Sequence, residues 1–299
     1  RDEYGVQSIC REVEIAPSAY YERKGQQRDP ARRCERTQWE DYLSEEIKRV
    51  WEDNFRVYGA RKVWRQLKRE DIPAARCTVE RLMKDMGISG AVRGRTKITT
   101  MSDKTQPRPP DLVNRQFIAT RPNQLWISDF TYVATWRGFT YRAFVIDVFA
   151  RRIVGWRVAS AMTTDLTLDA LEQALHDREV TDEIVHHSDR GSQYLSIRYT
   201  DRLSDVGIAP SVGSAGDSYD NAMAESIIGL YKTEVIRRHG PWKSIDAVEI
   251  ATLDWVDWYN NRRIMEPIGY RSPREAEMEY YQAQMRTADP AGLTLQPVR

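Results

Sequence analysis

Three short passages between positions 125 and 230 each place an acidic residue in a structured setting. Asp129 lies in LWISDFTYV and Asp189 in HHSDRGSQY, in or just after an apolar run rich in β-branched and aromatic residues, which predicts a strand. Glu225 lies in GDSYDNAMAESIIG, where good helix formers continue up to Gly229 and predict a helix. Since 35 residues separate Asp189 from Glu225 (225 − 189 − 1), a helix, a short strand and a loop fit between them. Two strands and a helix can hold the three acids together.

Three carboxylates held in this way are suited to metal-ion chemistry on phosphodiesters. Two divalent ions about 3.5–4 Å apart can clamp the attacking and leaving oxygens of the substrate. Mg²⁺ prefers hard oxygen ligands and leaves positions open for water and phosphate. The alternative is that these are ordinary surface acids, since the chain has 44 Asp and Glu residues. That alternative suits any one passage alone, whereas the three together favour a metal site.

The passages SDFTY, HSDRGSQY and DNAMAES resemble the catalytic core of bacterial insertion-sequence transposases. The resemblance is to the second-frame product of the insertion-sequence-three family, whose core is itself similar to retroviral integrases, and it extends from about Tyr58 to about Glu277. It implies that the Asp–Asp–Glu triad of the family falls on Asp129, Asp189 and Glu225.

The resemblance also implies an activity, a cofactor and partners. The expected enzyme cuts and joins DNA strands with two Mg²⁺ ions, for which Mn²⁺ would substitute. Asp129 and Asp189 would bridge or hold the metals, and Glu225 would complete one metal site. The expected partners are double-stranded DNA, as terminal inverted repeats and as target, further copies of the chain in a homo-oligomer on DNA, and an upstream-frame protein. The chain starts at Arg1 rather than Met, which agrees with an absent upstream piece.

Two rival functions stay open at this stage. One is a metal-dependent nuclease of the same fold, which would cut without needing specific ends and would not join. The other is a DNA-binding regulator whose core has lost its chemistry, although the intact Asp129, Asp189 and Glu225 weigh against it.

The bulk composition is that of a globular protein with two or three domains. The 299 residues are 41% hydrophobic and 30% charged, and no run approaches the 18 or more apolar residues of a membrane span. Cys10, Cys34 and Cys77 are too scattered for a disulfide framework or a zinc site. The adjacent His186 and His187 are interpreted as a strand end beside the active site, with a zinc-ligand pair as the alternative. We expect a cytoplasmic, nucleoid-associated protein without membrane partners.

Charge is distributed unevenly along the chain, although the net charge is only +1. Residues 1–124 carry 26 Lys and Arg against 19 Asp and Glu, which leaves 19 against 25 for residues 125–299. A basic amino-terminal part joined to an acidic carboxy-terminal part suits a DNA-gripping module attached to a metal-binding one.

The first segment, residues 1–36, predicts two short helices within 5–24. Pro17 is suited to the first turn of the second helix. The pair has the size of a helix-turn-helix, and a plain helical hairpin is the open alternative.

The second segment, residues 37–91, predicts a helix over 37–54 followed by two amphipathic helices, the last of which ends at Gly87. We predict a helix-turn-helix DNA-binding domain here, with a structural hairpin as the alternative. Four side chains of the last helix are candidates to reach the major groove or its phosphates: Arg76, Thr78, Arg81 and Lys84.

Residues 92–122 have the composition of a basic, Pro-rich linker, and residues 123–280 predict a catalytic core. The core reads strand, strand, strand, helix, strand, helix, strand, helix, over about 125–134, 139–148, 152–160, 164–178, 183–188, 192–206, 208–212 and the helix of Glu225. This order is that of the ribonuclease-H-like fold. We therefore predict an α/β class with a mixed-sheet core, preceded by an all-α helix-turn-helix region.

A further helix is predicted over about 244–263. Its residues Trp255, Trp258 and Tyr259 are interpreted as packing residues rather than base-stacking ones. Residues 281–299 are expected to form a tail that is disordered past about Gln284.

Asp147 is the main competitor of Asp129, because it ends the apolar run AFVID on the neighbouring strand. We expect it to face the site and support the metal ligands. Asp217 and Asp220 lie in a Gly- and Ser-rich loop that is better suited to a flap over the substrate.

Three side chains near the acids are candidates for contact with DNA in the core. Lys232 shares a helix face with Glu225 and Gly229, which predicts a contact with the phosphates of the bound DNA end. Arg190 and Gln193, beside Asp189, are the other two.

Overall fold

The computed structural model describes residues 5–92, 111–113, 116–178, 184–189, 193–212 and 221–288. Its backbone contacts divide the chain into two units, Arg1–Gly90 and Ala91–Arg299. None of the described helices combines the length and the apolar character that crossing a membrane requires.

The first unit is all-α in its described residues. Its helices are α1 (Gly5–Glu12), α2 (Pro17–Arg28), α3 (Glu35–Asp53), α4 (Ala60–Arg69) and α5 (Arg76–Asp85). Pro17 starts α2, as expected, and α2 extends to Arg28, further than the sequence pattern predicted. Gly87 follows the end of α5 with a positive φ of 67°, the left-handed conformation that glycine adopts without penalty.

Helices α3, α4 and α5 pack around one small apolar core. Leu43, Ile47 and Val50 of α3 are buried, as their spacing predicted. The apolar spacing of α3 also predicts a buried Trp39, but that side chain is 40% exposed and stacks beside Tyr42, 5.2 Å between ring centroids. The buried stripe therefore starts one turn later, at Leu43.

The second unit is built on a five-stranded mixed sheet with strand order β3-β2-β1-β4-β5. The strands are β1 (Leu125–Thr135), β2 (Gly138–Asp147), β3 (Arg152–Ala159), β4 (Val185–Ser188) and β5 (Ala209–Val212). The first three form an antiparallel meander, whereas β4 pairs parallel to β1 and β5 parallel to β4. This is the predicted element order, and the α/β fold class is confirmed.

Helices cover both faces of the sheet. The helices of this unit are α6 (Thr164–Asp177), α7 (Ile197–Asp205), α8 (Ala222–Tyr231), α9 (Arg237–His239), α10 (Ile245–Asn261) and α11 (Pro273–Ala288). Side chains alternate along β2, so that Ala143 and Val145 join α6 and α7 in one core. Phe144 points to the other face, where its ring meets those of Tyr231 and Trp255 at 5.3 and 6.4 Å.

Helix α10 is attached to the sheet by a side chain as well as by packing. The amide of Asn260 accepts a hydrogen bond from the Ile153 nitrogen (3.0 Å) and donates one to the Ile153 oxygen (2.8 Å). Trp255, Trp258 and Tyr259 of the same helix are fully buried. Their interpretation as packing residues is confirmed.

Two element bounds differ from the sequence predictions. Helix α7 begins at Ile197 rather than near 192, because the Ser196 hydroxyl caps it by accepting from the Tyr199 nitrogen. The tail was expected to be disordered past about Gln284, but α11 continues to Ala288, and Tyr280 of α11 packs against Phe149 at 5.1 Å between ring centroids. Residues 93–110, 114–115 and 289–299, which belong to the predicted linker and tail, lie outside the described residues.

Candidate active site at the ends of two parallel strands

Asp129 and Asp189 are placed by the pairing of β1 with β4. The parallel register runs from Leu125↔Val185 to Ser128↔Ser188; Asp129 is the next residue on β1, and Asp189 directly follows the end of β4. Neighbouring strands lie about 4.8 Å apart, so the two acids start from adjacent backbone positions. The structure thus brings together two acids that are 60 positions apart in sequence (189 − 129).

Glu225 lies in the first turn of α8, and Asn221 holds that turn against β1. The Asn221 side chain donates a hydrogen bond to the Ser128 oxygen (2.9 Å), one residue before Asp129. The Asn221 carbonyl in turn accepts from the Glu225 nitrogen (3.0 Å). Asn221 is buried, and sequence reasoning missed it, although an Asn directly before a predicted helix was a visible signal.

The three acids are close enough to interact electrostatically. Burial raises the pKa of Asp129 well above its usual value, and the carboxylates of Asp189 and Glu225 raise it further. The Phe130 N–H, which donates to Asp129 Oδ1 at 2.8 Å, and the Lys232 ammonium oppose this rise in pKa. Like charges brought close together favour a bound cation, since it would offset their mutual repulsion.

Even so, the described residues contain no set of three or more His, Cys, Asp or Glu side chains already gathered as metal ligands. Residues 190–192 and 213–220, which flank Asp189 and Glu225 and include the predicted flap acids Asp217 and Asp220, lie outside the described part of the chain.

The histidine pair lies behind the acids and is held by hydroxyl groups. His186 Nε2 is 2.7 Å from Ser128 Oγ and 3.1 Å from the Tyr199 hydroxyl, and burial lowers the pKa of His186 to about 3. His187 Nδ1 lies 2.9 Å from Ser211 Oγ. A neutral, buried imidazole bonded to hydroxyls is a structural residue, which agrees with the interpretation of the pair as a strand end beside the site.

Lys232 follows α8 at the start of a π-helical turn, Lys232–Ile236. Burial lowers its pKa, and the negative charge of Asp129 opposes that effect. Its ammonium lies 5.9 Å from the ring centroid of Tyr132. The Lys232 ammonium is therefore near both Asp129 and Tyr132 of β1.

A second, fully buried cation lies behind the site. Arg142 is opposite Thr131 in the β1–β2 register, and its Nη2 donates to Thr140 Oγ1 at 2.9 Å. Its Nε and Nη1 have no hydrogen-bond partner among the described residues, and burial lowers its pKa. Sequence reasoning did not single out this residue, because an Arg in a strand pattern carries no local sign of burial.

Asp147 does not belong to this group of acids, which corrects the expectation that it would face the site. It pairs in register with Trp126, three positions before Asp129, so its side chain projects from the opposite face of the sheet. There it accepts hydrogen bonds from the nitrogens of Asn123 (2.7 Å) and Phe149 (2.9 Å). Burial raises the pKa of Asp147 to about 6.

The candidates for DNA contact differ in exposure. On α5, Arg76, Arg81 and Lys84 are exposed and Thr78 is half-buried, but Arg81 already pairs with Glu40 at 2.7 Å. In the core, Gln193 is buried and Arg190 lies outside the described residues.

Comparison with known families agrees with this arrangement. Residues 119–218 and 206–273 match two family descriptions that both read integrase core domain, and residues 38–96 match an HTH-like domain. Over 281 residues the chain is 58% identical to the transposase for insertion sequence element IS629 of Shigella sonnei. The alignment covers 94% of this chain and 94% of the relative. The chain belongs to the insertion-sequence transposases, in the insertion-sequence-three family.

Other relatives of the transposase span several bacteria. The putative transposase for IS986/IS6110 of Mycobacterium tuberculosis is 53% identical over 279 residues, which is 92% of this chain and 99% of the relative. The transposase for IS3411 of Escherichia coli is 56% identical over 178 residues, which is 60% of this chain and 74% of the relative.

One solved structure is similar to the core of the transposase. The HTLV-2 integrase catalytic core domain in complex with magnesium superposes with a TM-score of 0.43 at 17% identity, and covers 54% of this chain and 99% of that chain. The strand order and the matching family descriptions give the core its integrase-type fold.

Proposed function

We propose that this transposase cuts and joins DNA strands at Asp129, Asp189 and Glu225, which act as the metal-holding acids. The observation that carries the proposal is the β1–β4 register, which sets Asp129 and Asp189 at adjacent backbone positions. The Asn221 hydrogen bond ties the first turn of α8, which contains Glu225, to the same part of β1, and Asp129 interacts electrostatically with both other carboxylates.

The donor set fits a hard divalent cation. All three groups are carboxylates, and the nearby histidines are hydrogen-bonded to hydroxyl groups. An all-oxygen donor set favours Mg²⁺, with Mn²⁺ as a substitute, over zinc. When bound, two such ions would activate the attacking oxygen and stabilise the leaving oxygen of the phosphodiester. Asp129 and Asp189 would bridge or hold them, and Glu225 would complete one site.

The remaining residues of the site have positioning roles in this proposal. Asn221 orients the first turn of α8 and so directs Glu225 towards the strand ends. Lys232 would bind a phosphate of the DNA end, because its ammonium is beside Asp129 and is otherwise over an aromatic ring. No protein nucleophile is required, so no Ser or Tyr is assigned to the reaction.

The helix-turn-helix of the first unit would supply DNA recognition. Arg76, Thr78 and Lys84 of α5 lie at its surface and would contact bases or phosphates, with Arg81 joining them only if it leaves Glu40. The DNA would be the terminal inverted repeats of the element and a target duplex. Two ends must be held together, so we propose a homo-oligomer on DNA, an upstream-frame partner and a location at the bacterial nucleoid in the cytoplasm.

The test is strand cleavage and joining on a labelled duplex that bears the flanking repeats of the gene, with Mg²⁺ or Mn²⁺. Asp189→Asn should abolish both products, whereas Asp201→Asn, a matched change at an exposed aspartate of α7, should abolish neither. Cutting without end preference and without joining would replace the proposal with a nuclease. Specific binding without cutting in either metal would replace it with a DNA-binding regulator.

A further inference from the structure

The β1–β2 hairpin carries three large aromatic side chains into solvent. Tyr132 is 47% exposed, Trp136 69% and Phe139 55%. The rings of Tyr132 and Phe139 meet edge to face at 5.5 Å between centroids. We call these three residues the hairpin aromatics. Aromatic surface exposed to water is unfavourable in free energy. A group of exposed apolar side chains such as this one marks an interaction surface.

The hairpin is fixed in place despite this exposure. The Trp136 nitrogen donates to the Trp242 oxygen (3.0 Å), and Thr135 forms a β-bridge with Trp242. Within the turn, Thr135 Oγ1 donates to the Gly138 oxygen (2.8 Å), and Gly138 supplies a positive φ of 109°. The backbone at Trp136 is thus held at both ends of the turn, so the exposed ring extends from a fixed backbone position.

Positive charge surrounds the hairpin aromatics. The ammonium of Lys232 lies 5.9 Å from the Tyr132 ring centroid, and that of Lys243 lies 6.0 Å from the Trp136 ring. Between these lysines the chain adds exposed Arg237 and Arg238. The acid of that segment, Glu234, is buried and paired with Arg263 at 2.6 Å, so it does not offset the charge at the surface.

The hairpin aromatics share strand β1 with Asp129 but lie further along it. Tyr132 follows Asp129 by three residues, about 10 Å of extended strand, so its ring leaves the sheet on the face opposite the Asp129 carboxylate. Lys232 connects the two, since it lies over Tyr132 and starts the turn that follows α8, the helix of Glu225. In the described residues β4 pairs with β1 only up to Ser128, so the β1 edge beyond it is open on this side.

We propose that the hairpin aromatics stack against unpaired bases of the DNA strand next to the phosphodiester that is cut. The inference rests on the proposed function, since it uses the same DNA end. Aromatic faces stack on any base, and lysines within reach of the rings bind the adjoining phosphates. A protein partner would need acidic groups to match these cations, so a nucleic-acid strand is the better fit.

The experiment compares two oligonucleotides by fluorescence anisotropy, without divalent metal so that no cutting occurs. One is a blunt duplex that carries the terminal repeat, and the other has the same sequence with several unpaired bases at its tip. We expect Trp136→Ala to weaken binding of the frayed end about tenfold, as loss of one stacked base would. It should leave the blunt end within about twofold.

Two further variants sharpen the comparison. Trp136→Phe keeps an aromatic face and should recover most of the frayed-end affinity. Tyr281→Ala, which removes a comparably exposed aromatic side chain from α11, should change neither affinity. A sedimentation measurement reports whether any variant changes the oligomeric state.

The outcomes separate this inference from the proposed function. Equal loss on both ends, or none on either, would overturn the stacking surface even if the wild-type protein cuts DNA with metal. A shift in oligomeric state with unchanged DNA affinity would show instead that the hairpin aromatics contact protein. A protein that prefers frayed ends through Trp136 but never cuts would retain the surface and overturn the proposed function alone.

Discussion

The buried ion pair between Glu234 and Arg263 connects the active-site helix to the rest of the core. Glu234 Oε1 accepts from Arg263 Nη2 at 2.6 Å, and its Oε2 accepts from Arg263 Nε at 3.3 Å and from Trp255 Nε1 at 3.0 Å. Glu234 lies in the π-helical turn that begins at Lys232. The pair therefore anchors the end of the helix that carries Glu225.

We expect Glu234→Ala to destabilise the core severely. The change removes all three hydrogen bonds and leaves the Arg263 guanidinium buried without its counter-charge, a situation that typically costs about 3–5 kcal/mol. For a unit of this size, 1 kcal/mol corresponds to about 2–4 °C in Tm, so the transition of the core should fall by about 6–20 °C.

Calorimetry with paired chemical denaturation measures this loss. Glu172→Ala is the matched control, because Glu172 bonds Arg202 through both carboxylate oxygens at the surface, where such pairs contribute about 0–1 kcal/mol. The double change Glu234→Leu with Arg263→Met should recover much of the loss, since it leaves no unpaired charge. Equal, small costs for Glu234→Ala and Glu172→Ala would refute the reasoning.

Three further predictions concern the metal, pH and packing. Mn²⁺ at about 100 times its Kd should raise the stability of the wild-type protein by about 2.7 kcal/mol, and thermal shift should show no such gain for Asp189→Asn. The pKa of Asp147 is about 6 in the folded state and 3.8 ordinarily, so between these values the folded state binds a proton that the unfolded state does not. Protonation of Asp147 therefore contributes to the stability of the fold below about pH 4, and that stability is lost as the pH rises through 6. Asp147→Asn should therefore flatten the fall in stability between pH 4 and 6, and an unchanged slope in pH-dependent denaturation would contradict this. A Cβ on Gly155 would collide with the Ala170 oxygen, so Gly155→Ala should cost about 1–3 kcal/mol by denaturant unfolding, and a wild-type midpoint would rule out the close contact.

The strands and most helices were predictable because their signals are local. Alternation along LWISDFTYV and GFTYRAFVID and the apolar spacing of α3 and α10 report the period of each element. The family resemblance added the expected roles of the three acids from their flanking residues and spacing. Errors occurred where a distant contact decided the outcome: Tyr280 meets Phe149 and α11 continues into the expected tail.

By itself, the sequence determined the order of elements, the basic helix-turn-helix region and the spacing of Asp129, Asp189 and Glu225. Only the tertiary structure decided which acids face one another, because strand register and sheet face arise from hydrogen bonds between segments far apart in the chain. That is why Asp147 lies on the opposite face of the sheet while Asp189 lies beside Asp129. The same long-range contacts make Asn221 a support of the site. They also leave Trp136 exposed beside Lys243, since burial depends on what packs against a side chain rather than on its neighbours in sequence.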